Sequence, residues 1–209
     1  MPVETIICSI RHGRTAYNAE KRYAGTIDVP LSEQGVEDCR QAARGLAGRH
    51  FDVAVTSTMS RAIDSAKILA GADTLIVQTP LCNERNFGIM EGHTWDEVLK
   101  LDPPILMIEV GNDLHTVDPK GGEPFEDVWV RAKAFRRFLF DLYRGKSILV
   151  VSHGVFLQMF YGLLRGQSCI PSLALFPANM ELSRFEFVDD QLVGENVENL
   201  IVTGPEPKF

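Results

Sequence analysis

The sequence predicts a layered α/β fold, in which helices cover a largely parallel β-sheet. Short apolar runs of strand length alternate with longer segments whose apolar residues recur at helical spacing. Two of the apolar runs, at residues 5–10 and 147–151, lead into His-Gly pairs, at His12-Gly13 and His153-Gly154. The 209 residues are 45% hydrophobic, which is enough to fill a substantial core.

Capping residues mark the predicted elements of the first part of the chain. Ser32 is suited to cap a helix, and Glu33 places a negative charge in the first turn of that helix. Gly71 ends the next helix, because glycine readily takes a left-handed C-cap conformation. In chain order the elements are a strand at 5–10, a helix from 33 to about 49, a strand at 53–56, a helix at 59–70 and a strand at 75–77.

Turn residues divide the second part of the chain. Pro103-Pro104 breaks a short helix at 94–100, and residues 105–122 carry turns at Gly111-Asn112 and Lys120–Gly122 without a clear element between them. The later elements are a helix at 125–143, a strand at 147–151, a helix at 155–164 and an edge or antiparallel strand at 181–187. Because no Pro/Gly/Ser-rich linker and no repeat interrupts the chain, residues 1–209 are predicted to form a single domain.

Composition limits the classes of partner. The net charge of −7 argues against a general nucleic-acid binder. The four cysteines are scattered and form no CxxC pair, which favours neither a zinc site nor a disulfide framework. The chain has no secretory pattern and no apolar run of membrane length, so we expect it to act in the cytoplasm on a small molecule. The oligomeric state is left open.

The first candidate site is the Arg11-His12-Gly13 segment at the end of the first strand. Imidazole is nucleophilic near neutral pH, and a guanidinium offers a planar fork of donors that fits phosphoryl oxygens. Gly13 lets the backbone approach a ligand closely. The segment therefore indicates attack on phosphorus, although a strand-end histidine on its own is more often structural.

The second candidate site, Ser152-His153-Gly154, repeats this pattern after another apolar strand. Ligands of open parallel sheets bind beyond the carboxyl ends of the strands, so His12 and His153 are predicted to share one pocket. Two unrelated structural histidines are the alternative. A metal pair is disfavoured, because no carboxylate or cysteine stands near either histidine at ligand spacing.

Two further polar residues follow the other strands. Arg61 falls in the first turn of a helix, where it and the helix N-terminus would stabilise a phosphate. Glu84 follows the third strand and would face the same pocket as a proton donor. Taken singly, Arg61 reads as a solvated helix residue and Glu84 as a surface carboxylate.

Together these motifs resemble the histidine phosphatase superfamily, and among its members the cofactor-dependent phosphoglycerate mutase branch and its small phosphatases. The likeness spans residues 5–190. The motifs that carry it are Arg11-His12-Gly13, Thr15, Asn18, Ala24-Gly25, Asp28–Ser32, Gly35, Arg61-Ala62, Glu84, Phe87-Gly88, Glu91-Gly92, Gly121–Glu123 and Ser152–Gly154.

The resemblance implies a three-layer α/β/α sandwich around a mixed six-stranded sheet with one antiparallel strand. It implies that His12 carries a covalent phosphohistidine, and that Glu84, with a raised pKa, protonates the leaving alcohol and then activates water. A protonated His153 would hold the phosphoryl oxygens together with two arginines. The implied catalytic residues are His12, Glu84, Arg11, Arg61 and His153, and the implied substrate-binding residues are Arg11, Asn18, Ala24, Gly25, Arg61, Glu84, His153 and Gly154.

The resemblance implies no metal and no organic cofactor, except 2,3-bisphosphoglycerate if the chain is a mutase. Between Asn86 and Lys120 the chain has no arginine, whereas phosphoglycerate mutases carry paired arginines after the catalytic glutamate to bind the substrate carboxylate. A phosphatase is therefore favoured over a mutase, and an inactive scaffold or sensor ranks third. Arg14, which replaces the usual glutamate, and Arg85 are the residues that would reverse this ranking by binding a carboxylate.

Overall fold

Eight strands and seven α-helices lie within residues 2–201, which are the residues that the computed structural model describes. The strands are β1 (Glu4–Arg11), β2 (Val53–Thr56), β3 (Ile76–Gln78), β4 (Met107–Val110), β5 (Asp113–Thr116), β6 (Ser147–Ser152), β7 (Glu181–Val188) and β8 (Gln191–Asn199). The α-helices are α1 (Ala16–Glu20), α2 (Glu33–Gly45), α3 (Ser60–Ala70), α4 (Trp95–Val98), α5 (Phe125–Tyr143), α6 (Gly154–Leu164) and α7 (Cys169–Ser172).

The central sheet has six strands in the order β3-β2-β6-β1-β7-β8. The four strands from β3 to β1 are parallel to one another, β7 is antiparallel to β1, and β8 is antiparallel to β7. Only β7 therefore runs against the other five strands, which confirms the mixed sheet with one antiparallel strand. Strand β7 lies inside the sheet, because β8 pairs with its outer side. Of the two alternatives predicted for residues 181–187, the edge position is therefore wrong and the antiparallel orientation is confirmed.

Alternate residues of the central strand β6 enter two separate cores, one on each face of the sheet. Ile148 and Val150 pack in the core that contains the apolar residues of α5 and α6. Leu149 and Val151 pack in the core that contains those of α2 and α3. All four side chains are fully buried, and this two-sided burial explains why the strand is uniformly apolar. The result is the expected three-layer α/β/α arrangement.

Capping contacts account for where the predicted helices begin and end. The Ser32 hydroxyl accepts a hydrogen bond from the Gly35 N–H (3.0 Å), and Gly71 has a φ of +82°, as predicted. Helix α2 ends at Gly45 rather than near residue 49, since the chain turns there and Gly48 is left-handed (φ +83°). Helix α4 spans Trp95–Val98 rather than 94–100, because Thr94 is its N-cap and the chain continues in tighter turns.

Five elements have no counterpart in the sequence-based assignment. Strands β4 and β5 form a separate hairpin whose turn is Gly111-Asn112, as predicted, and the Lys120–Gly122 turn is also confirmed. The others are the short helices α1 and α7 and the strand β8. All are short or largely exposed, so none carries a strong apolar period.

The parallel pairing of β1 and β6 places both His-Gly segments at one edge of the sheet. Arg11 pairs with Ser152, and the His12 N–H donates to the Ser152 carbonyl (2.9 Å). The next strand, β2, ends at the same edge, where the Ser57 N–H donates to the Val151 carbonyl (3.4 Å). The sheet topology thus gathers the chain segments that carry the candidate site.

Candidate active site

A pocket opens at this edge of the sheet. It collects eight of the nine predicted site residues, which come from β1, α1, α3, α6 and the loops between elements. These eight are Arg11, His12, Asn18, Ala24, Gly25, Arg61, Glu84 and Gly154. The ninth, His153, is fully buried beside His12 and does not line the pocket.

His12 is held in one tautomer by its own backbone. Its Nδ1 lies 2.7 Å from the Gly13 carbonyl oxygen, and because a carbonyl only accepts, Nδ1 carries the proton. Nε2 then keeps a lone pair. Burial, then Arg61 and Arg11, lower the pKa of His12 well below its usual range, against the opposing effect of the Gly13 hydrogen bond. The ring is therefore neutral at pH 7 and suited to nucleophilic attack.

His153 lies next to His12, with the two ring centroids 5.0 Å apart. Its Nε2 is 2.7 Å from the Ser57 hydroxyl, and its Nδ1 is buried without a hydrogen-bond partner among the described residues. Burial, followed by Arg61 and His12, lowers the pKa of His153 well below its usual range. In the free site His153 is thus neutral, contrary to the expected protonated donor, although a phosphoryl dianion nearby would raise its pKa.

Arg61 is buried, with 1% of its surface exposed, and it is fixed by the loop that crosses the N-terminus of α3. It donates to the carbonyls of Ile27 and Gly25, at 2.9 Å each. The same loop caps the helix, because the Asp28 carboxylate accepts from the Ser60 N–H and hydroxyl. Arg11 donates to the Pro177 carbonyl from the other side of the pocket floor. Two arginines are therefore held rigidly beside His12, which suits a phosphoryl group.

Glu84 sits at the N-terminus of α6. Its Oε1 accepts from the N–H groups of Arg85 (2.9 Å) and Phe156 (3.2 Å), and its Oε2 accepts from the Val155 N–H (3.3 Å). An ideal Cβ on Gly154 would lie 3.7 Å from Oε2 and 3.5 Å from the Arg11 guanidinium carbon. The glycine after His153 thus allows the carboxylate and Arg11 to approach the same point.

The remaining predicted binding residues lie at the pocket mouth. The Asn18 Oδ1 accepts from the Thr15 N–H and hydroxyl to cap α1, so its amide NH₂ is the group that remains to donate to a ligand. Gly25 has a φ of +52°, and a Cβ there would collide with the Glu91 carboxylate. Glu91 accepts from the N–H groups of Thr26 and Phe87, and so joins the two loops that border the pocket.

The structure places Arg14 and Arg85 outside the pocket lining. Arg14 forms a two-pronged ion pair with the buried Asp38 of α2, with N–O distances of 2.6 and 2.9 Å. Arg14 is therefore not placed to bind a substrate carboxylate, the role that the sequence left open for it. Arg85 is 1% exposed and donates to three backbone carbonyls around the β4-β5 hairpin, while its guanidinium carbon lies 3.8 Å from the Phe125 ring centroid. It fixes the loop that carries Glu84.

Several pocket residues were not anticipated from the sequence, because no local pattern marks them. Arg22 and Tyr23 follow α1, Gln158 lies on the buried face of α6, and Phe176 comes from the loop before β7. Within residues 2–201, no group of three or more His, Cys, Asp or Glu side chains is placed to hold a metal ion. No helix among those residues is long and apolar enough to cross a membrane.

Comparison with known proteins assigns this chain to a family. The family model described as histidine phosphatase superfamily (branch 1) matches residues 7–199. A 2,3-bisphosphoglycerate-dependent phosphoglycerate mutase of Rhizobium etli is 30% identical over 160 residues, which are 69% of this chain and 73% of that protein. Fructose-2,6-bisphosphatase TIGAR B of Danio rerio is 34% identical over 138 residues, or 63% of this chain, and the match spans only 52% of the zebrafish protein.

Solved structures share the same fold. Bacillus stearothermophilus YhfR aligns with a TM-score of 0.78 and 26% identity, covering 90% of this chain and 94% of YhfR. The alpha-ribazole phosphatase of Shigella flexneri aligns with a TM-score of 0.80 and 24% identity, covering 93% and 96% of the two chains. The three of these proteins that are named for an activity are two phosphatases and one phosphoglycerate mutase. Because the family model matches nearly the whole length of the chain, this chain belongs to branch 1 of the histidine phosphatase superfamily.

Proposed function

We propose that this protein hydrolyses phosphomonoesters of small metabolites through a covalent phosphohistidine at His12. One observation carries the proposal. The hydrogen bond from His12 Nδ1 to the Gly13 carbonyl leaves the Nε2 lone pair in a pocket that is also lined by Arg11, Arg61 and Glu84. Nucleophile, anion-binding groups and a proton donor are thus present together.

In the first step, His12 Nε2 attacks phosphorus and the bond from phosphorus to the ester oxygen breaks. Arg11 and Arg61 hold the phosphoryl oxygens while charge develops in the transition state. Glu84, in its protonated form, gives its proton to the departing oxygen, so that an alcohol leaves rather than an alkoxide. The products are the alcohol and phosphorylated His12.

In the second step, the ionised Glu84 takes a proton from water, whose oxygen attacks the phosphorus. The N–P bond breaks, phosphate is released and His12 regains its lone pair. The three backbone N–H groups on Glu84 hold its oxygens in place between the two steps. The same carboxyl group therefore acts as acid and then as base.

The positions of the arginines support a phosphatase over a mutase. Arg14 is paired with Asp38 and Arg85 with backbone carbonyls, so neither residue is placed to bind a glycerate carboxylate. The second candidate is a phosphoglycerate mutase primed by 2,3-bisphosphoglycerate, and it is favoured by relatives such as the Rhizobium etli protein. The free cysteines, three of them buried, are consistent with a cytoplasmic location for either activity.

A parallel assay separates the candidates. Phosphate release from a panel of phosphorylated metabolites is measured beside conversion of 3- to 2-phosphoglycerate in an enolase-coupled assay, with and without 2,3-bisphosphoglycerate. A phosphatase gives net phosphate release and little isomerisation. Mutase turnover well above the phosphate-release rate would favour the second candidate. If the protein shows neither phosphate release nor isomerisation, an inactive scaffold is favoured. His12→Ala is the control for contaminating phosphatases.

A further inference from the structure

The pocket wall beyond the phosphoryl-binding arginines is mostly apolar. We refer to Tyr23, Phe87, Val155 and Phe176 as the apolar wall. The rings of Tyr23 and Phe87 are in contact, with centroids 5.0 Å apart, and the Arg11 guanidinium carbon lies 5.9 Å from the Phe176 ring centroid. Aromatic surfaces of this kind bind the carbon portion of a ligand by burying its apolar area.

The cations of the described pocket lining are three arginines, and each already has an assigned role or an anionic partner. Arg11 and Arg61 are assigned to the phosphoryl group. Arg22 donates to the carboxylates of Glu20 (2.8 Å) and Glu97 (2.9 Å) and to the Gly92 carbonyl, so two acidic side chains already offset its charge. A carboxylate or second phosphate on the leaving group would be desolvated near Glu84 without a counter-charge, which is unfavourable.

Gln158 is the exception in this otherwise apolar surrounding. The side chain is buried, with 3% of its surface exposed, and it lines the pocket from α6. The Gln158 Nε2 donates to the Leu173 carbonyl (3.1 Å). Because a carbonyl only accepts, the NH₂ end of the amide must face Leu173. Oε1 is then the end that is left to accept a hydrogen bond, and no described residue donates to it.

We propose that the leaving group of the substrate is an uncharged, largely apolar alcohol that donates one hydrogen bond to Gln158 Oε1. This inference rests on the proposed phosphatase activity and specifies the substrate class of the same pocket. The apolar wall contacts the carbon skeleton, and Gln158 reads a single O–H or N–H on it. Gln158 is thus a specificity-determining residue and has no part in the transfer of the phosphoryl group.

Four benzyl phosphates test the proposal. They differ in a substituent on the ring, which changes the reactivity of the leaving oxygen little. They are benzyl, 3-hydroxybenzyl, 3-methoxybenzyl and 3-carboxybenzyl phosphate. We expect kcat/KM for benzyl phosphate to exceed that for the carboxylated compound by about tenfold or more, because the added charge finds no partner. We expect the hydroxy compound to exceed its methoxy analogue by about two- to tenfold, which is the range of one net hydrogen bond.

Gln158→Met removes the acceptor at similar length and should abolish the preference for hydroxy over methoxy. Gln34→Met is the matched control, because Gln34 bonds only Asp38 outside the pocket, and it should keep the wild-type ranking. If Gln158→Met does not fold, the wild-type ranking of the four compounds still decides. Equal or better use of the carboxylated compound, or no preference for hydroxy over methoxy, overturns the proposal.

Failure of the proposed function gives a different result. If neither the four compounds nor the panel of phosphorylated metabolites releases phosphate, the phosphatase proposal fails, whereas release from the panel alone overturns the leaving-group inference. The dissociation constants of the same four compounds, measured by calorimetry, then test the leaving-group inference on its own. The same ranking in binding supports it, and a carboxylated compound that binds as well as or better than the others contradicts it.

Discussion

Replacement of Glu84 by glutamine removes the proposed proton donor with little change of shape. Glutamine can keep the hydrogen bonds that Oε1 accepts from Arg85 and Phe156, but its NH₂ group would then face the Val155 N–H that now donates to Oε2. One lost hydrogen bond and one lost charge at the N-terminus of α6 together cost about 1–3 kcal/mol of unfolding free energy. The variant should therefore fold.

The effect on catalysis should depend on the leaving group. A positioned general acid contributes about 10²–10⁴-fold, equivalent to about 2.7–5.4 kcal/mol of barrier, when an alkoxide would otherwise leave. Benzyl phosphate should lose activity by this factor. We expect p-nitrophenyl phosphate to lose less than about tenfold in kcat/KM, because p-nitrophenolate needs little protonation.

The comparison must use kcat/KM, because in the proposed mechanism Glu84 also activates water in the second step. For p-nitrophenyl phosphate the variant should release a burst of about one nitrophenol per site and then turn over slowly, since the phosphoenzyme accumulates. Glu123→Gln is the control. Glu123 pairs with Arg131, which donates to the Glu84 carbonyl, so this variant perturbs the same segment and keeps the acid. The Glu123→Gln variant should lose kcat/KM by the same factor on benzyl phosphate and on p-nitrophenyl phosphate.

Equal losses of kcat/KM on both substrates in Glu84→Gln, without a burst, would refute the acid–base assignment. Glu84 would then be a positioning residue. A leaving-group effect of similar size in the Glu123→Gln variant would equally contradict it, because that change leaves the carboxyl group of Glu84 in place.

Three further predictions follow from the geometry. The pKa values of His12 and His153 are lowered in the folded protein, so as pH falls the unfolded chain binds protons on these rings before the folded protein does. The free energy of unfolding should therefore decrease below about pH 6.5, by up to about 1.4 kcal/mol per pH unit for each ring. His153→Gln should reduce this slope in denaturant titrations, and an unchanged slope would count against a neutral, buried His153. Arg85→Met should lower the free energy of unfolding by about 3–5 kcal/mol, because three backbone carbonyls, one of them in a buried hydrogen bond, lose their donor. A loss below about 1 kcal/mol would show that these contacts matter little. Activity should survive exhaustive treatment with EDTA, and a loss that one divalent ion restores would contradict the arginine-based pocket.

The positions of the residues proposed to act on phosphorus could be predicted, because local sequence determines where they lie. His12 and His153 directly follow buried parallel strands, and the register of β1 and β6 brings them together. Arg61 is similarly fixed by its place in the first turn of α3. Such positions follow from the ends of apolar strands and from the first turns of the helices that come after them.

The rest of the pocket depends on contacts between distant segments. Arg14 and Arg85 are sequence neighbours of His12 and Glu84, but Asp38 and the hairpin carbonyls hold their guanidinium groups outside the pocket lining. Gln158 is a polar residue within the largely apolar helix α6, and no local pattern marks it as a pocket residue. The role proposed for it depends on the Leu173 carbonyl, which holds one end of its amide.

Strand β8 was missed for a related reason. Gln191–Asn199 contains a glycine and several polar residues, and two of its valines, Val193 and Val197, are 61% and 48% exposed. An edge strand that packs little side-chain surface needs no apolar alternation, since β7 supplies its hydrogen bonds. Its existence follows from the partner strand rather than from its own sequence.

The site of phosphorylation tests the central claim most directly. Enzyme quenched in alkali during turnover should carry phosphate on His12, as an acid-labile and base-stable adduct that peptide mass spectrometry maps. The attachment should be to Nε2, because the Gly13 carbonyl holds the proton on Nδ1. Phosphate on Nδ1, phosphate on another residue, or full turnover by His12→Ala would contradict the account.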